Sequence, residues 1–370
     1  MKKFLYITDQ NEYTDHSFIG PLFEKYLKEY FEVDIVYFSE FKAEFEKKDE
    51  HRFILPTADK NKAIQELDRS GIDISSYSYV VVRNSGEILK HVISMSGMYD
   101  YKVGYRLSFP KRRAQMQVDR ANNKASFLKH LNNTLTTYSE TKLINQCDIF
   151  MPTSQQMHDE YFEGVTTKTF ICPPAIDPEN LHDNIHHEGQ EKRFFYAGTL
   201  DKLREFETVL EAFNNVKKGN WKLTISTKDP EYAQEVVNSY SSLSDSVEIH
   251  NAKNKSELLE LIANADIGVS ILPEIPLFNT STPVKIIDYY SSAVPCIMTN
   301  NANNNTLFTN DFDAWFCTFD KKSIQAKIEY ITNLSKDEVA QVGIRGQDRL
   351  LEIRNYKIIA GKLAETLELL

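Results

Sequence analysis

From end to end, this chain alternates short apolar runs with amphipathic stretches. The first half carries "KKFLYITD", "EVDIVYFS", "RFILP", "SYVVVRN", "YKVGYRLS", "CDIFMPTS" and "KTFICPP"; the second carries "KRFFYAGT", "WKLTIST", "SVEIHNA", "DIGVSILP", "PCIMTN" and "AWFCTFD". Aromatic and β-branched residues dominate these runs, which favours strands over buried helices. A strand followed by an amphipathic helix, many times over, is the pattern of parallel sheets covered on both faces. The expected fold class is therefore α/β and doubly wound.

At 370 residues the chain exceeds one ordinary core, taking about 150 residues per domain. A break falls at "PPAIDPENLHDNIHHEGQEK", polar, proline-bearing and without periodicity. We expect a first domain over 1–175, a linker over 176–192 and a second domain over 193–353. A last helix over 354–370 is expected to pack back toward the first domain. Ligands of doubly wound domains lie at the carboxyl ends of the strands, so a cleft between the two domains is expected to hold the site. His182, His186 and His187 lie in the break with no cysteine nearby and read as loop histidines rather than a metal set.

Several classes drop out. No run reaches the ~18 apolar residues of a membrane span. The apolar part of "MKKFLYITDQ" is too short for a signal peptide. Cys147, Cys172, Cys296 and Cys317 form no CxxC pair and sit in apolar runs, as buried reduced thiols do. These features suggest a cytoplasmic protein. A net charge of −10 argues against general nucleic-acid binding. The charge is uneven, however. From Lys102 to Lys142 nine Lys/Arg, among them Arg106, Lys111, Arg112 and Arg113, face only Asp119 and Glu140. Such a stretch is either a solvated helix face or a surface for phosphates or anionic membrane.

No GxGxxG, GxxxxGK[ST] or GxSxG follows a strand, so dinucleotide, P-loop and nucleophile-elbow chemistry lose their main support. Three other loops remain. In "FFYAGTLDKLREFETVLEAF" a strand runs into Gly198 and Thr199, and Lys202 and Arg204 precede a helix whose N-terminus favours an anion. In "VEIHNAKNKSELLELIANADIG", His250, Asn251 and Lys253 form a polar loop before a helix with Ser256 as its expected cap. In "STPVKIIDYYSSAVPCIMT", Thr282 is the expected N-cap and Pro283 the first helical residue, with Val284 and Ile287 toward the core. Lys285 then lies against the positive end of the helix dipole, which an anion there would offset. Asp288, three residues on, shares its face.

These segments, in this order, resemble the retaining glycosyltransferases of the two-domain GT-B fold, most like glycosyltransferase family four. "INQCDIFMPTSQQMHDEY" and "KTFICPPAIDPENL" are similar to the end of that family's first domain. "YAGTLDKLREFETVLEAF", "SVEIHNAKNKSELLELIANADIGVSILP" and "STPVKIIDYYSSAVPCI" are similar to its donor loop, base-binding segment and acid-bearing helix. The resemblance is strongest from Cys147 to Ile297.

It implies two Rossmann-like domains facing a cleft. The second would hold a nucleotide-diphosphate sugar of UDP or GDP type; the first would hold a glycan or lipid-linked acceptor. It casts Arg204 and Lys285 as the diphosphate-gripping catalytic cations, Asp288 as the ribose ligand, and the backbone around Ser281–Val284 as the phosphate cap. Gly198, Thr199, Asn251, Lys253 and Thr280 complete the donor set, and His16 is an acceptor-side candidate. No metal and no separate cofactor are implied. The chain departs from the pattern in three places. Thr280 stands where the family's second acid is usual, Thr199 where arginine is frequent, and Ser108 where a histidine is sought. A role in bacterial cell-surface polysaccharide synthesis follows as an expectation, with peripheral contact at the inner face of the plasma membrane. So does the rival reading, a non-catalytic partner subunit of a glycosyltransferase complex. A nucleotide-sugar epimerase would need several cleft carboxylates that the sequence does not offer. Oligomeric state is left open.

Overall fold

The computed structural model describes residues 1–370 except 11–19, 122–126, 186, 188, 218–219 and 241, and except the side chains of 111, 114, 118, 120–121 and 127–134. The chain forms two compact units, Met1–Pro173 with Tyr356–Leu370, and Pro174–Asn355.

In the first unit the strands are β1 (Lys3–Ile7), β2 (Glu32–Ser39), β3 (Glu46–Lys47), β4 (Arg52–Pro56), β5 (Tyr77–Arg83), β6 (Lys102–Leu107) and β7 (Ile149–Pro152). They lie in the order β3-β4-β2-β1-β5-β6-β7. All neighbours are parallel except the short β3, which runs antiparallel along the edge. Without β3 the order is that of a doubly wound dinucleotide-type sheet. Helices α1 (Ala63–Arg69), α2 (Gly86–Tyr99), α3 (Lys111–Ala121), α4 (Phe127–Ile144) and α5 (Gln155–Tyr161) connect the strands. Serine caps start two of them: the Ser85 and Ser154 hydroxyls accept the Ile88 and Met157 N–H groups. The C-terminal helix, Tyr356–Glu368, buries Leu363, Ala364 and Leu367 in this unit. There the Tyr79 hydroxyl donates to the Leu367 carbonyl at 2.9 Å.

Two expectations are corrected here. "KTFICPP" is not a full strand. It lies extended beside β7 through one bridge, Phe150 to Thr169, and the Phe170 and Cys172 N–H bonds to Phe150 and Pro152. Pro173 and Pro174 follow and have no N–H to extend the ladder. Arg106, expected on a basic surface, is 0% exposed. Its guanidinium donates to the Tyr6 hydroxyl at 3.1 Å and lies over the Phe23 ring. β6 is paired on both sides, and past its exposed first residue, Lys102, every side chain in it is buried.

In the second unit the strands are β8 (Lys192–Ala197), β9 (Trp221–Ser226), β10 (Val247–His250), β11 (Ile267–Ser270), β12 (Cys296–Thr299) and β13 (Trp315–Cys317), in the order β10-β9-β8-β11-β12-β13. All pairs are parallel. The strand order reverses between β8 and β11, and the crevice beyond their carboxyl ends is where such sheets bind ligands. The helices are α6 (Phe206–Asn215), α7 (Pro230–Asn238), α8 (Lys255–Ala263), α9 (Pro276–Asn279), α10 (Val284–Ser291), α11 (Ala302–Asn305), α12 (Lys321–Asn333) and α13 (Lys336–Ile353). The polar stretch after Pro174 is laid along this unit. Its His182 and Ile185 N–H groups donate to the Ser291 and Ala263 carbonyls. The four cysteines are buried and unbridged.

One tyrosine fastens α10 to the switch point. The Tyr289 hydroxyl accepts the Ala197 N–H at 3.1 Å and donates to the Val269 carbonyl at 3.3 Å, joining the ends of β8 and β11. Its ring packs against Gly268, where a Cβ would come within 2.2 Å of it.

Candidate functional site

The loop after β8 turns at Gly198, whose φ of +150° suits glycine. The Gly198 N–H donates to the Ser226 carbonyl, and the Tyr196 hydroxyl donates to the Thr199 carbonyl at 3.0 Å. Asp201 organises the turn that leads into α6. Its carboxylate accepts the Leu203 and Arg204 N–H groups, at 3.1 and 3.0 Å, and pairs with the Arg204 guanidinium. That guanidinium also lies 5.8 Å from the Phe278 ring centroid. Phe278 belongs to α9, which follows β11, so Arg204 spans the two sides of the switch point.

α10 starts differently from the expectation. Thr282 is not its cap. The helix begins at Val284, with Pro283 in the cap position and no side-chain bond. The Thr282 hydroxyl instead accepts from Arg354 at 2.6 Å and from Asn303 at 2.9 Å. Proline at the cap has no side-chain acceptor to offer, so an incoming anion meets no competitor from the cap residue. Lys285, partly buried in the first turn, places its ammonium 3.9 Å from the Tyr196 ring centroid. Burial pushes its pKa down to about 7; Cys296 acts against this and Arg204 adds to it. Arg204 and Lys285 are thus brought to one place.

Lys285 and Asp288 share a helix but not a neighbour. The buried Asp288 carboxylate lies 2.5 Å from the ammonium of Lys255. Burial raises the Asp288 pKa, and Lys255 and His182 oppose the rise. Lys255 is the first residue of α8, whose cap is Asn254, not Ser256: the Asn254 side chain accepts the Glu257 N–H at 2.9 Å. Ser256 is already inside the helix. Ahead of it, Asn251 is half-buried, and Lys253 is exposed with its N–H on Glu257. These two follow β10, the edge strand two places from β8, roughly 10 Å away at the usual strand spacing.

The remaining expected residues vary in exposure. Ser281 and Val284 are half-buried and Thr199 is exposed. Thr280 is 4% exposed, its hydroxyl 3.5 Å from the Leu277 carbonyl. Glu274, the sequence neighbour nearest to a substitute acid, accepts the Phe319 N–H at 3.3 Å. In the first unit, Arg112 is exposed and Arg113 donates to the Tyr161 carbonyl at 3.1 Å. His16 and the Lys111 side chain lie outside the described residues. Sequence reasoning missed Tyr196, Asp201, Lys255, Phe278 and Arg354. Lys255 had the same signal as Lys285, a cation in a helix's first turn. Tyr196 and Phe278 read only as core aromatics.

The arrangement is a cation pair at a helix start, above the switch point of a parallel sheet. Solved structures share the architecture over the whole chain. Sucrose-phosphate synthase from Thermosynechococcus elongatus aligns at a TM-score of 0.73 and 12% identity, covering 99% of this chain and 98% of its own. Anabaena HepE, solved with UDP and glucose, aligns at 0.70 and 10% identity, with 100% of both chains covered. An α,α-trehalose 6-phosphate synthase from Burkholderia multivorans aligns at 0.65 and 10% identity, covering 100% of this chain and 98% of its own. The fold is GT-B. Within it, residues 191–337 match the family model for glycosyl transferases group 1. That match lies in the second GT-B unit and contains Gly198, Arg204, Lys285 and Asp288. By sequence, no curated protein matches the chain.

Proposed function

We propose that this protein is a glycosyltransferase that moves a sugar from a nucleotide-diphosphate donor, with retention of anomeric configuration and without a metal, to a glycan or lipid-linked acceptor. The observation that carries the reading is the pairing of Arg204 and Lys285 beside the uncapped start of α10. A departing nucleoside diphosphate gains negative charge as the glycosidic bond breaks, and fixed cations and helix N–H groups stabilise that charge. Asp288, held by Lys255, would accept hydrogen bonds from the ribose hydroxyls. Gly198 and Thr199 would pass close to the phosphates, and Asn251 and Lys253 would meet the base. Ser281, Thr282 and Val284 shape the phosphate end; Thr282 does so through Arg354 and Asn303.

UDP is the donor nucleotide we favour, because HepE is solved with UDP and glucose and the group 1 match covers the donor half. Cell-surface polysaccharide synthesis in a bacterial cytoplasm, with the acceptor side at the membrane, is the setting we assign. The purified chain should release UDP from UDP-glucose or a related UDP-sugar when chelator is present. Tight UDP binding with no turnover on any UDP-, GDP- or ADP-sugar would transfer support to the second reading, a non-catalytic partner subunit. Thr280 favours that second reading, since a buried threonine stands where an acid is usual.

A further inference from the structure

Lys285 has no ion-pair partner among the described residues, whereas two cations near it are paired: Arg204 with Asp201 and Lys255 with Asp288. The groups that face Lys285 are few. From β8 comes the Tyr196 ring, from the loop before α6 comes Arg204, and from β12 comes Cys296, whose thiol pKa burial pushes up. Its nearest support is therefore an aromatic face. That face is fixed: Tyr196 is 0% exposed, sits against Phe206 with ring centroids 4.1 Å apart, and is tied through its hydroxyl to the Thr199 carbonyl.

This choice has a chemical consequence. A carboxylate would orient a lysine but cancel its charge and compete with an incoming anion. A ring face attracts the ammonium, fixes its direction and leaves its hydrogen-bond donors and full charge for a ligand. We infer that Tyr196 is a positioning residue for donor binding: its ring holds the Lys285 ammonium aimed at the diphosphate while its hydroxyl sets the Gly198–Thr199 turn that closes on the same phosphates. The inference rests on the donor-site reading above. The shift of the Lys285 pKa toward neutrality agrees with it, since the partly buried ammonium has no counter-charge until a diphosphate arrives.

The test keeps the shape of residue 196 and changes its electronics. UDP affinity is measured by calorimetry at pH 7 for the wild type, for Tyr196→Phe, and for chains carrying mono-, tri- and pentafluorophenylalanine at position 196, alongside Lys285→Ala and Arg204→Ala. Tyr196→Phe keeps the ring but frees the Thr199 carbonyl, so it should weaken UDP by a few-fold and serves as the reference for the fluorinated series. Stepwise fluorination should weaken UDP by about 10-fold in total, the size of a partly desolvated cation–π contact. The pH at which binding falls off should move down with each step, as the charged lysine loses support. A merely structural tyrosine would leave that profile in place. Equal affinity across the fluorinated series, with Lys285→Ala still losing UDP, overturns the role of Tyr196 alone. Unchanged binding in Lys285→Ala and Arg204→Ala overturns the donor site itself.

Discussion

Lys285 and Arg204 are both cations, yet their environments give them different behaviour. Without ligand the Lys285 pKa of about 7 lies below its unfolded value. The folded chain then binds fewer protons than the unfolded one between those values, so this lysine's destabilisation is full below pH 7 and fades as pH rises. A diphosphate reverses the balance by favouring the ammonium. The diphosphate of UDP is mostly ionised by pH 7, so its affinity should fall by about 10-fold or more from pH 7 to pH 9 as the lysine must take up a proton to bind. Lys285→Arg should flatten that profile, because arginine stays charged throughout; calorimetry at several pH values reads both. Arg204 carries its own stand-in for phosphate, the Asp201 carboxylate. Asp201→Asn removes that competitor and should tighten UDP several-fold. Weaker binding in Asp201→Asn would mean the carboxylate serves only to fold the loop.

At the scale of elements, the contact between α10 and β11 positions the site. Gly268 admits the Tyr289 ring, and Tyr289 ties β8 to β11. Gly268→Ala should destabilise the second unit by about 1–3 kcal/mol, the range for overpacking a filled core. Denaturant melts of Gly268→Ala against wild type would show the loss, and UDP affinity should fall with it because α10 carries Lys285. The strands themselves were legible, because buried parallel strands write themselves as short aromatic and β-branched runs. The helix starts were less so. Thr282-Pro283 and Ser256 look like caps by composition, but tertiary partners decided otherwise. Arg354, seventy-two residues on, claims the Thr282 hydroxyl, and Asn254 begins α8 two residues before Ser256. Lys255 was invisible as the partner of Asp288 because nothing local links residues thirty-three apart.

Across the whole molecule, both sheets take the doubly wound order, and the group 1 match falls on the second unit. The α/β alternation made the fold class readable, and the resemblance from Cys147 onward pointed to the donor half. The basic stretch of the first unit was read too simply. Counting charge along a sequence cannot separate a strand from a helix face, and Arg106 sits inside the sheet core. Arg106→Ala should therefore cost stability, seen as a lower melting temperature, rather than membrane affinity. If α3 meets anionic membrane, Arg112→Ala with Arg113→Ala should reduce flotation with anionic liposomes several-fold; unchanged flotation removes that contact. The donor site of the second unit is tested by one titration: UDP against the wild type, Arg204→Ala and Lys285→Ala, followed by thermal shift. The wild type should show a clear UDP-induced stabilisation that is lost in both variants; a full shift in both variants would refute the donor site.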